Sequence, residues 1–129
     1  MILISSILSA QSEVTTIEVE ITNISNDEGQ VLVGLYNSEK QWLKEIFKGA
    51  FGKIENGKST VQFTDVPSGT YAISVFHDED NDGKLDTLFG IPTEDTGSSN
   101  DAPSKFGPPK WSVAQFEVKD ENLKQIINL

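Results

Sequence analysis

The sequence predicts an all-β fold, an antiparallel sandwich of about seven short strands with one short helix and one long ordered loop. Two observations lead to this prediction. In several short segments apolar and polar residues alternate, as at Ile17, Val19 and Ile21, and turn residues such as Asn56-Gly57 separate the segments. Almost no segment sustains the period of an amphipathic helix, which counts against a helix-rich fold.

The predicted elements differ in how clearly the residues mark them. Residues 71–76 are apolar on both faces, which indicates a central, buried strand. The short helix is predicted over residues 38–47, because Ser38 is a suitable N-cap and Gln41 completes a capping box. The predicted strands are 16–24, 30–37, 47–54, 59–63, 71–76, 111–118 and 123–129.

The segment 77–110 shows no pattern of a regular element. A loop of this length is uncommon in a compact domain unless it is functional or held by something else. A bound cation would order it, so the length of the segment supports the metal site described below. We expect the segment to wrap over one end of the sandwich.

The N-terminus predicts export. Residues 1–10 form an apolar run that ends in small residues and is followed by polar Gln11, as in the core and cleavage site of a secretory signal. We therefore assign residues 1–12 to a signal peptide remnant, and residues 13–129 to a single domain, which is expected to be periplasmic or extracellular. The usual positive start is missing, and a frayed first strand is the alternative. The run is too short to insert across a membrane.

Charge and composition exclude several classes of function. The chain has 20 acids and 10 bases, a net charge of −10, and all ten bases are lysines. Without arginine, an acidic chain is a poor match for nucleic acid or for an anionic membrane surface. The absence of cysteine excludes disulfides, thiolate metal sites and cysteine nucleophiles.

Residues 78–86 match the first part of a calcium-binding loop, in which short oxygen-bearing side chains alternate around a glycine turn. Gly83 occupies the position of the sharp turn, and Phe89 stands where the full loop has a glutamate. A cation would offset the repulsion among so many carboxylates. The predicted ligands are four carboxylates and one backbone carbonyl in the loop, with a further acid from outside it: Asp78, Asp80, Asp82, Asp86, Lys84 and Glu94.

Calcium is the predicted cofactor, because a flexible all-oxygen loop tolerates irregular, higher coordination better than magnesium does. Asp95 or a water is an alternative to Glu94 for the missing ligand. The alternative for the whole loop is a solvated turn in which the acids make only local hydrogen bonds.

Two further groups of residues are candidates for function. His77 is the only histidine and, beside Asp78, is a candidate general base, although it more often ends a strand with a hydrogen bond. Four aromatic residues form either a sugar-stacking platform or, as we expect in a small sandwich, part of the core: Tyr36, Trp42, Phe106 and Trp111.

Taken together, the motifs from residue 71 onward resemble the bacterial "domain of unknown function 2141" family of exported proteins, over about residues 16–129. The motifs that carry the resemblance are Tyr71-Ala72-Ile73-x-Val75-x-His77-Asp78-x-Asp80-x-Asp82-Gly83-Lys84-Leu85-Asp86-Thr87, Gly90-Ile91-Pro92-x-Glu94, Ser99-Asn100 and Phe106-Gly107-Pro108-Pro109. The resemblance implies an exported single domain with an immunoglobulin-like or prealbumin-like sandwich. It implies no activity, because the function of that family is unassigned.

Three functions are compatible with these features. The first is a non-catalytic module of the cell envelope, binding or structural, with a calcium-stabilised acidic loop and a glycan or an envelope protein as its partner. The second is a carbohydrate- or peptide-binding accessory domain that uses an exposed aromatic residue or a free sheet edge. The third is a metal-dependent hydrolase in which His77 acts with a metal-bound water.

Overall fold

The computed structural model describes residues 14–83, 87–88, 91–92, 94–104 and 107–129, with the backbone alone at 87–88 and 91–92. The predicted signal remnant, residues 1–12, lies outside the described residues. The strands are β1 (Val14–Thr22), β2 (Gln30–Tyr36), β3 (Lys48–Lys53), β4 (Ser59–Pro67), β5 (Gly69–Asp78), β6 (Thr87–Leu88), β7 (Ile91–Pro92), β8 (Thr96–Ser98), β9 (Phe116–Val118) and β10 (Leu123–Asn128). A 3-10 turn covers Ser99–Asp101, and the helix α1 covers Trp111–Ala114.

The strands form two sheets, which confirms the predicted all-β sandwich. One sheet has the order β10-β1-β4, and the other has the order β3-β2-β5-β8, with β9 pairing the first residues of β5. β6 and β7 form a separate two-stranded hairpin. Every described strand pair is antiparallel except β1–β10, which is parallel.

Alternating apolar residues of both sheets form one core, as the two-residue period of the sequence predicts. Ile17 and Ile21 of β1 and Leu35, Ile73 and Val75 of the second sheet are fully buried. Burying a side chain of this size contributes about 1.5–3 kcal/mol. The core therefore holds β5 in the middle of its sheet and presents the end of β5, where the acids begin, at one end of the sandwich.

The helix lies in a different place from the one that the sequence predicts. Residues 38–47 form hydrogen-bonded turns, although the Ser38 hydroxyl does accept a bond from the Gln41 backbone N–H at 3.3 Å. The turns do not continue as a helix because Leu43 has a φ of 60°, which a right-handed helix does not allow. The helix that does form, α1, lies within residues 111–118, which the sequence predicts to be a strand. Only Phe116–Val118 of that predicted strand is extended.

The prediction that residues 77–110 lack regular structure is wrong in part, because β8 lies within that segment and adds an eighth strand to the two sheets. β8 reads Thr-Gly-Ser and so carries no apolar alternation. Its glycine has a packing reason: a Cβ on Gly97 would lie 2.8 Å from a methyl of Leu129 and 2.9 Å from one of Ile127. Because the C-terminal residues approach β8 so closely, position 97 has no room for a side chain. β8 therefore lacks the apolar residue that would have marked it as a strand.

Ser99 and Asn100 tie the turn after β8 to the rest of the fold. The buried Ser99 hydroxyl donates to the Ala114 carbonyl at 2.6 Å and accepts from the Ile73 backbone N–H at 2.9 Å. The Asn100 side-chain amide donates to the carbonyls of Val113 and Gln115 at 2.9 and 2.8 Å. These bonds join β5, the turn and α1 without needing a bound ion, so a cation is not the only element that orders this part of the chain.

Candidate metal centre

The acidic loop begins at the last residue of the central strand. Asp78 ends β5 and is fully buried, and its carboxylate accepts three hydrogen bonds. Gln30 donates from its side chain at 3.1 Å, and the backbone N–H groups of Asp82 and Gly83 donate at 3.2 and 2.9 Å. The chain turns back toward Asp78 through left-handed backbone at Asn81 and Gly83, with φ angles of 56° and 76°.

Three predicted ligands meet in this loop. One carboxylate oxygen from each of Asp78, Asp80 and Asp82 lies within 4.8 Å of the other two. Calcium binds oxygens at 2.3–2.6 Å, so two of its ligands lie at most about 5 Å apart. The spacing of the three oxygens therefore fits one calcium ion. The side chains of Asp80 and Asp82 are exposed and face the same region as the buried Asp78.

The hydrogen bonds around Asp78 keep it ionised. Burial on its own raises the pKa of this carboxyl, because a charge is poorly solvated inside the protein. The bonds from the Gln30 side chain and the Gly83 backbone N–H, together with contacts to the Asp80 and Asp82 side chains, outweigh that effect, and the pKa is lowered overall. Asp78 therefore carries a negative charge at neutral pH, which a metal ligand requires.

The remaining predicted ligands have different positions. Glu94 is buried, and its Oε2 accepts a hydrogen bond from the backbone N–H of Glu79 at 3.1 Å. It thus contacts the loop between Asp78 and Asp80, but it is not one of the three clustered carboxylates. Lys84 and Asp86 lie outside the described residues.

The connection between β1 and β2, residues 23–29, packs against the start of the acidic loop. Gly29 has a φ of +72°, and a Cβ at this position would lie 2.0 Å from the Asp78 carbonyl oxygen and 2.7 Å from the Glu79 Cα. The Asn26 side chain also donates to the Glu79 carboxylate at 3.3 Å. Only glycine combines this backbone angle with so close an approach, so Gly29 determines how near the two segments lie.

His77 belongs to the other face of β5. Successive strand residues project to opposite sides, so His77 projects toward the core and Asp78 away from it. The His77 ring is fully buried, and its Nε2 lies 2.6 Å from the Glu28 carbonyl oxygen, which can only accept. Nε2 therefore carries the hydrogen, and the buried Nδ1 has no hydrogen-bond partner among the described residues.

Comparison with known families places this loop in context. A family model described as "uncharacterized protein conserved in bacteria (DUF2141)" matches residues 19–126. The chain belongs to this family. No curated protein and no solved structure matches the chain significantly.

The DUF2141 match extends from β1 to β10 and therefore includes both the acidic loop and the Ser99-Asn100 turn. The family description names no activity. In the part of the chain that the structure describes, no helix has the length and apolarity needed to cross a bilayer.

The tryptophans that were candidates for a sugar platform pack against each other. Trp42 is 9% exposed, its ring meets those of Tyr36 and Trp111 edge to face, and its indole N–H donates to the Pro109 carbonyl at 2.8 Å. Together with small residues of β5 and α1 these rings form a second, smaller core. Phe106 lies outside the described residues.

The most exposed aromatic residue in the described part of the chain is one that no sequence motif marks. Phe51 is 67% exposed at the edge strand β3, although it alternates correctly for a strand. The sequence indicates this exposure only weakly, through the glycine that follows Phe51. The absence of a side chain at Gly52 makes room for Ser59 and Val31 on the core face of β3. An ordinary half-buried strand has large apolar side chains on its core face and polar ones on its outer face. β3 has glycine on its core face and phenylalanine on its outer face.

Proposed function

We propose that the protein is an exported, non-catalytic module of the bacterial cell envelope, binding or structural, whose acidic loop binds calcium. The observation that carries the metal part is the convergence of three carboxylate oxygens within 4.8 Å at the end of the central strand. In this proposal Asp78, Asp80 and Asp82 are ligands, and the Lys84 carbonyl is a fourth. Asp86 and Glu94 complete the shell, directly or through water.

The loop chemistry favours calcium at low affinity. All the proposed ligands are oxygens, and the bidentate glutamate of the full calcium loop is replaced by Phe89. A reduced ligand set of this kind corresponds to dissociation constants of about 10⁻⁴–10⁻³ M, which are typical of extracellular modules. That range agrees with an exported protein, because calcium outside a cell reaches such concentrations.

The position of His77 supports a non-catalytic role. A hydrolase using this site would need a general base within reach of a metal-bound water. His77 projects to the opposite face of β5 from Asp78 and uses Nε2 to donate to Glu28. In this proposal the carboxylates of the loop act as ligands of the cation, and His77 does not face that cation.

Calcium binding is tested by thermal unfolding. At about 10 mM calcium and a dissociation constant of about 10⁻⁴ M, binding to the folded state alone adds about 2.7 kcal/mol. We expect the melting temperature to rise by on the order of 10 °C, and less with magnesium. The matched control is the double variant Asp80→Asn/Asp82→Asn at equal ionic strength, which should show no shift. Equal shifts in both proteins, or none in the wild type, would contradict calcium binding.

Export is tested by cell fractionation and N-terminal sequencing. If residues 1–12 belong to a signal peptide, the protein is recovered from the envelope fraction and its mature chain begins at about residue 13. Recovery from the cytoplasm with residues 1–12 intact contradicts export and leaves the calcium proposal untouched.

A further inference from the structure

The turn between β3 and β4 contains the only Asn-Gly dipeptide of the sequence, Asn56-Gly57. Asn56 is exposed at the tip of a two-residue hairpin, which Glu55 and Lys58 close with backbone hydrogen bonds of 2.9 and 3.1 Å. The φ angles of 54° at Asn56 and 75° at Gly57 place both residues in the left-handed region, as a type I′ turn requires. The turn is therefore well formed, although its two residues are chemically the least stable pair that it could contain.

An Asn-Gly pair can lose ammonia without an enzyme. The backbone nitrogen of the glycine attacks the side-chain carbonyl carbon of the asparagine, and the new C–N bond closes a five-membered succinimide ring. The glycine nitrogen gives up its proton, and the side-chain nitrogen takes up a proton and leaves as ammonia. Water then opens the ring at one of its two carbonyls, which gives aspartate or isoaspartate. Glycine favours the attack because it has no side chain to hinder it.

The connection formed by residues 23–29 holds this turn in place. The Asp27 carboxylate accepts one hydrogen bond on each oxygen, from the Asn56 backbone N–H at 3.0 Å and from the Gly57 backbone N–H at 2.9 Å. The Gly57 carbonyl accepts a further bond from the Ile24 backbone N–H at 3.0 Å. The nitrogen that would have to attack the Asn56 side chain is therefore bonded to a carboxylate.

Two effects of this arrangement oppose the attack. Ring closure needs the glycine nitrogen on the same side of the Cα–C bond as the asparagine Cβ, whereas left-handed backbone turns that nitrogen to the opposite side. The attack also needs the N–H proton to leave, and a neighbouring carboxylate stabilises the proton and disfavours the negative charge that would form. A carboxylate is itself far too weak a base to remove a proton from a backbone amide.

We propose that Asn56 is a latent deamidation site and that Asp27 keeps it unreactive in the folded protein. Reaction then requires a local opening in which the turn first loses both hydrogen bonds to Asp27. Hydrogen bonds to a charged acceptor are among the stronger ones, so this opening is rare. The proposal goes beyond the function proposed above, and it depends neither on calcium nor on export.

The consequence of deamidation is local damage to the hairpin. Aspartate at position 56 would bring a second negative charge beside Asp27, and isoaspartate would also lengthen the backbone of a two-residue turn by one atom. Either product weakens the contact between the β3–β4 turn and the connection 23–29, so Asp27 preserves the chemical integrity of this end of the fold.

The test is peptide mapping by mass spectrometry after incubation of the full chain at mildly alkaline pH, with isoaspartate at position 56 resolved by chromatography. We expect the folded wild type to deamidate at least about tenfold more slowly than the same chain unfolded in guanidinium, and Asp27→Ala to deamidate at least about tenfold faster than the folded wild type. Asp27→Asn keeps one carbonyl acceptor, and its rate should lie between the two. The exchange of the Gly57 amide hydrogen should be faster in Asp27→Ala as well.

The matched control separates local opening from unfolding of the whole domain. Val66→Ala shortens a fully buried side chain at the other end of β4, so it lowers global stability without touching the turn. Its deamidation rate should stay close to that of the wild type. Equal rates in the folded and unfolded wild type, unchanged rates in both Asp27 variants, or equal acceleration by Val66→Ala and Asp27→Ala would each overturn the proposal.

Discussion

Replacing Asp78 with asparagine is expected to abolish calcium binding and to destabilise the fold even when calcium is absent. The Asp78 carboxylate accepts hydrogen bonds from the Gln30 side chain and from two backbone N–H groups, and it donates none. An asparagine amide turns its NH₂ group toward at least one of these donors, which loses a bond to a charged acceptor and leaves a buried donor unpaired. We expect the free energy of unfolding to fall by roughly 2–4 kcal/mol, measured by urea denaturation in chelator.

The matched control for Asp78 is Asp80→Asn. Asp80 is exposed and lies in the same cluster of carboxylates, so its substitution removes a proposed calcium ligand with little effect on packing. In chelator we expect the free energy of unfolding to change by no more than about 0.5 kcal/mol. Calcium binding in calorimetry should nevertheless be weakened strongly. If the two variants were equally stable in chelator, Asp78 would have no structural role beyond the metal site.

The difference between these two aspartates refines the electrostatic argument for the loop. From the sequence alone, a cation is expected to order a set of mutually repelling carboxylates. The structure shows that Asp78 already organises the turn, because it holds the backbone of Asp82 and Gly83. The proposed ion therefore acts mainly on Asp80 and Asp82, whose side chains are exposed and lie beside that of Asp78. Calcium in this scheme binds to a preformed turn and requires little conformational change, so the modest affinity comes from the reduced ligand set.

The strands that the sequence predicts well are those with local alternation. β1, β2 and β5 begin and end within about two residues of their predicted bounds, because their apolar period and flanking turn residues are local properties. The predicted strand at 111–118 is wrong in its first half, because Trp111 packs on Trp42 and the Ser99 and Asn100 side chains hold the backbone of α1. Those contacts join residues that are far apart in the chain, and a local pattern contains no trace of them.

The candidate site likewise has one part that the sequence predicts and another part that it does not. The spacing of Asp78, Asp80 and Asp82 predicts their convergence, because a short loop around a glycine brings alternate residues together. The roles of Gln30 and Gly29 were not predictable, since Gln30 begins the strand that pairs with β5 and Gly29 directly precedes that strand. Residue 30 lies opposite residue 78 only once the register is known.

Replacing Gly29 with alanine is expected to damage the fold and the metal site together. Alanine at a φ of +72° is strained by roughly 1–2 kcal/mol. Its Cβ would also lie 2.0 Å from the Asp78 carbonyl oxygen, and backbone atoms cannot move aside as a flexible side chain would. Overpacking of this kind adds about 1–3 kcal/mol or more, so we expect a total loss of roughly 2–5 kcal/mol in urea denaturation. Because relief of the clash requires Asp78 and Glu79 to shift, calcium affinity should fall as well.

Two other glycines separate the effect of the backbone angle from that of the close approach. Gly57 has a φ of +75°, and a Cβ there would lie 3.2 Å from its nearest neighbour, the Ile24 carbonyl oxygen. Gly83 has a φ of +76°, and a Cβ there would meet nothing within 4 Å. Alanine at Gly83 should cost only about 1–2 kcal/mol, the strain of the angle itself. Alanine at Gly57 should cost slightly more, because the Ile24 carbonyl must also move slightly.

Gly57→Ala is the sharper of these two controls, because it lies outside the acidic loop and touches the β1–β2 connection at Ile24 and Asp27 without approaching Asp78. We expect it to leave calcium affinity largely unchanged. The comparison with Gly29→Ala therefore isolates the contact between the β1–β2 connection and the backbone of Asp78. A Gly29→Ala protein as stable as Gly57→Ala would show that this connection does not support the loop, and Asp78 would then depend on Gln30 and the turn alone.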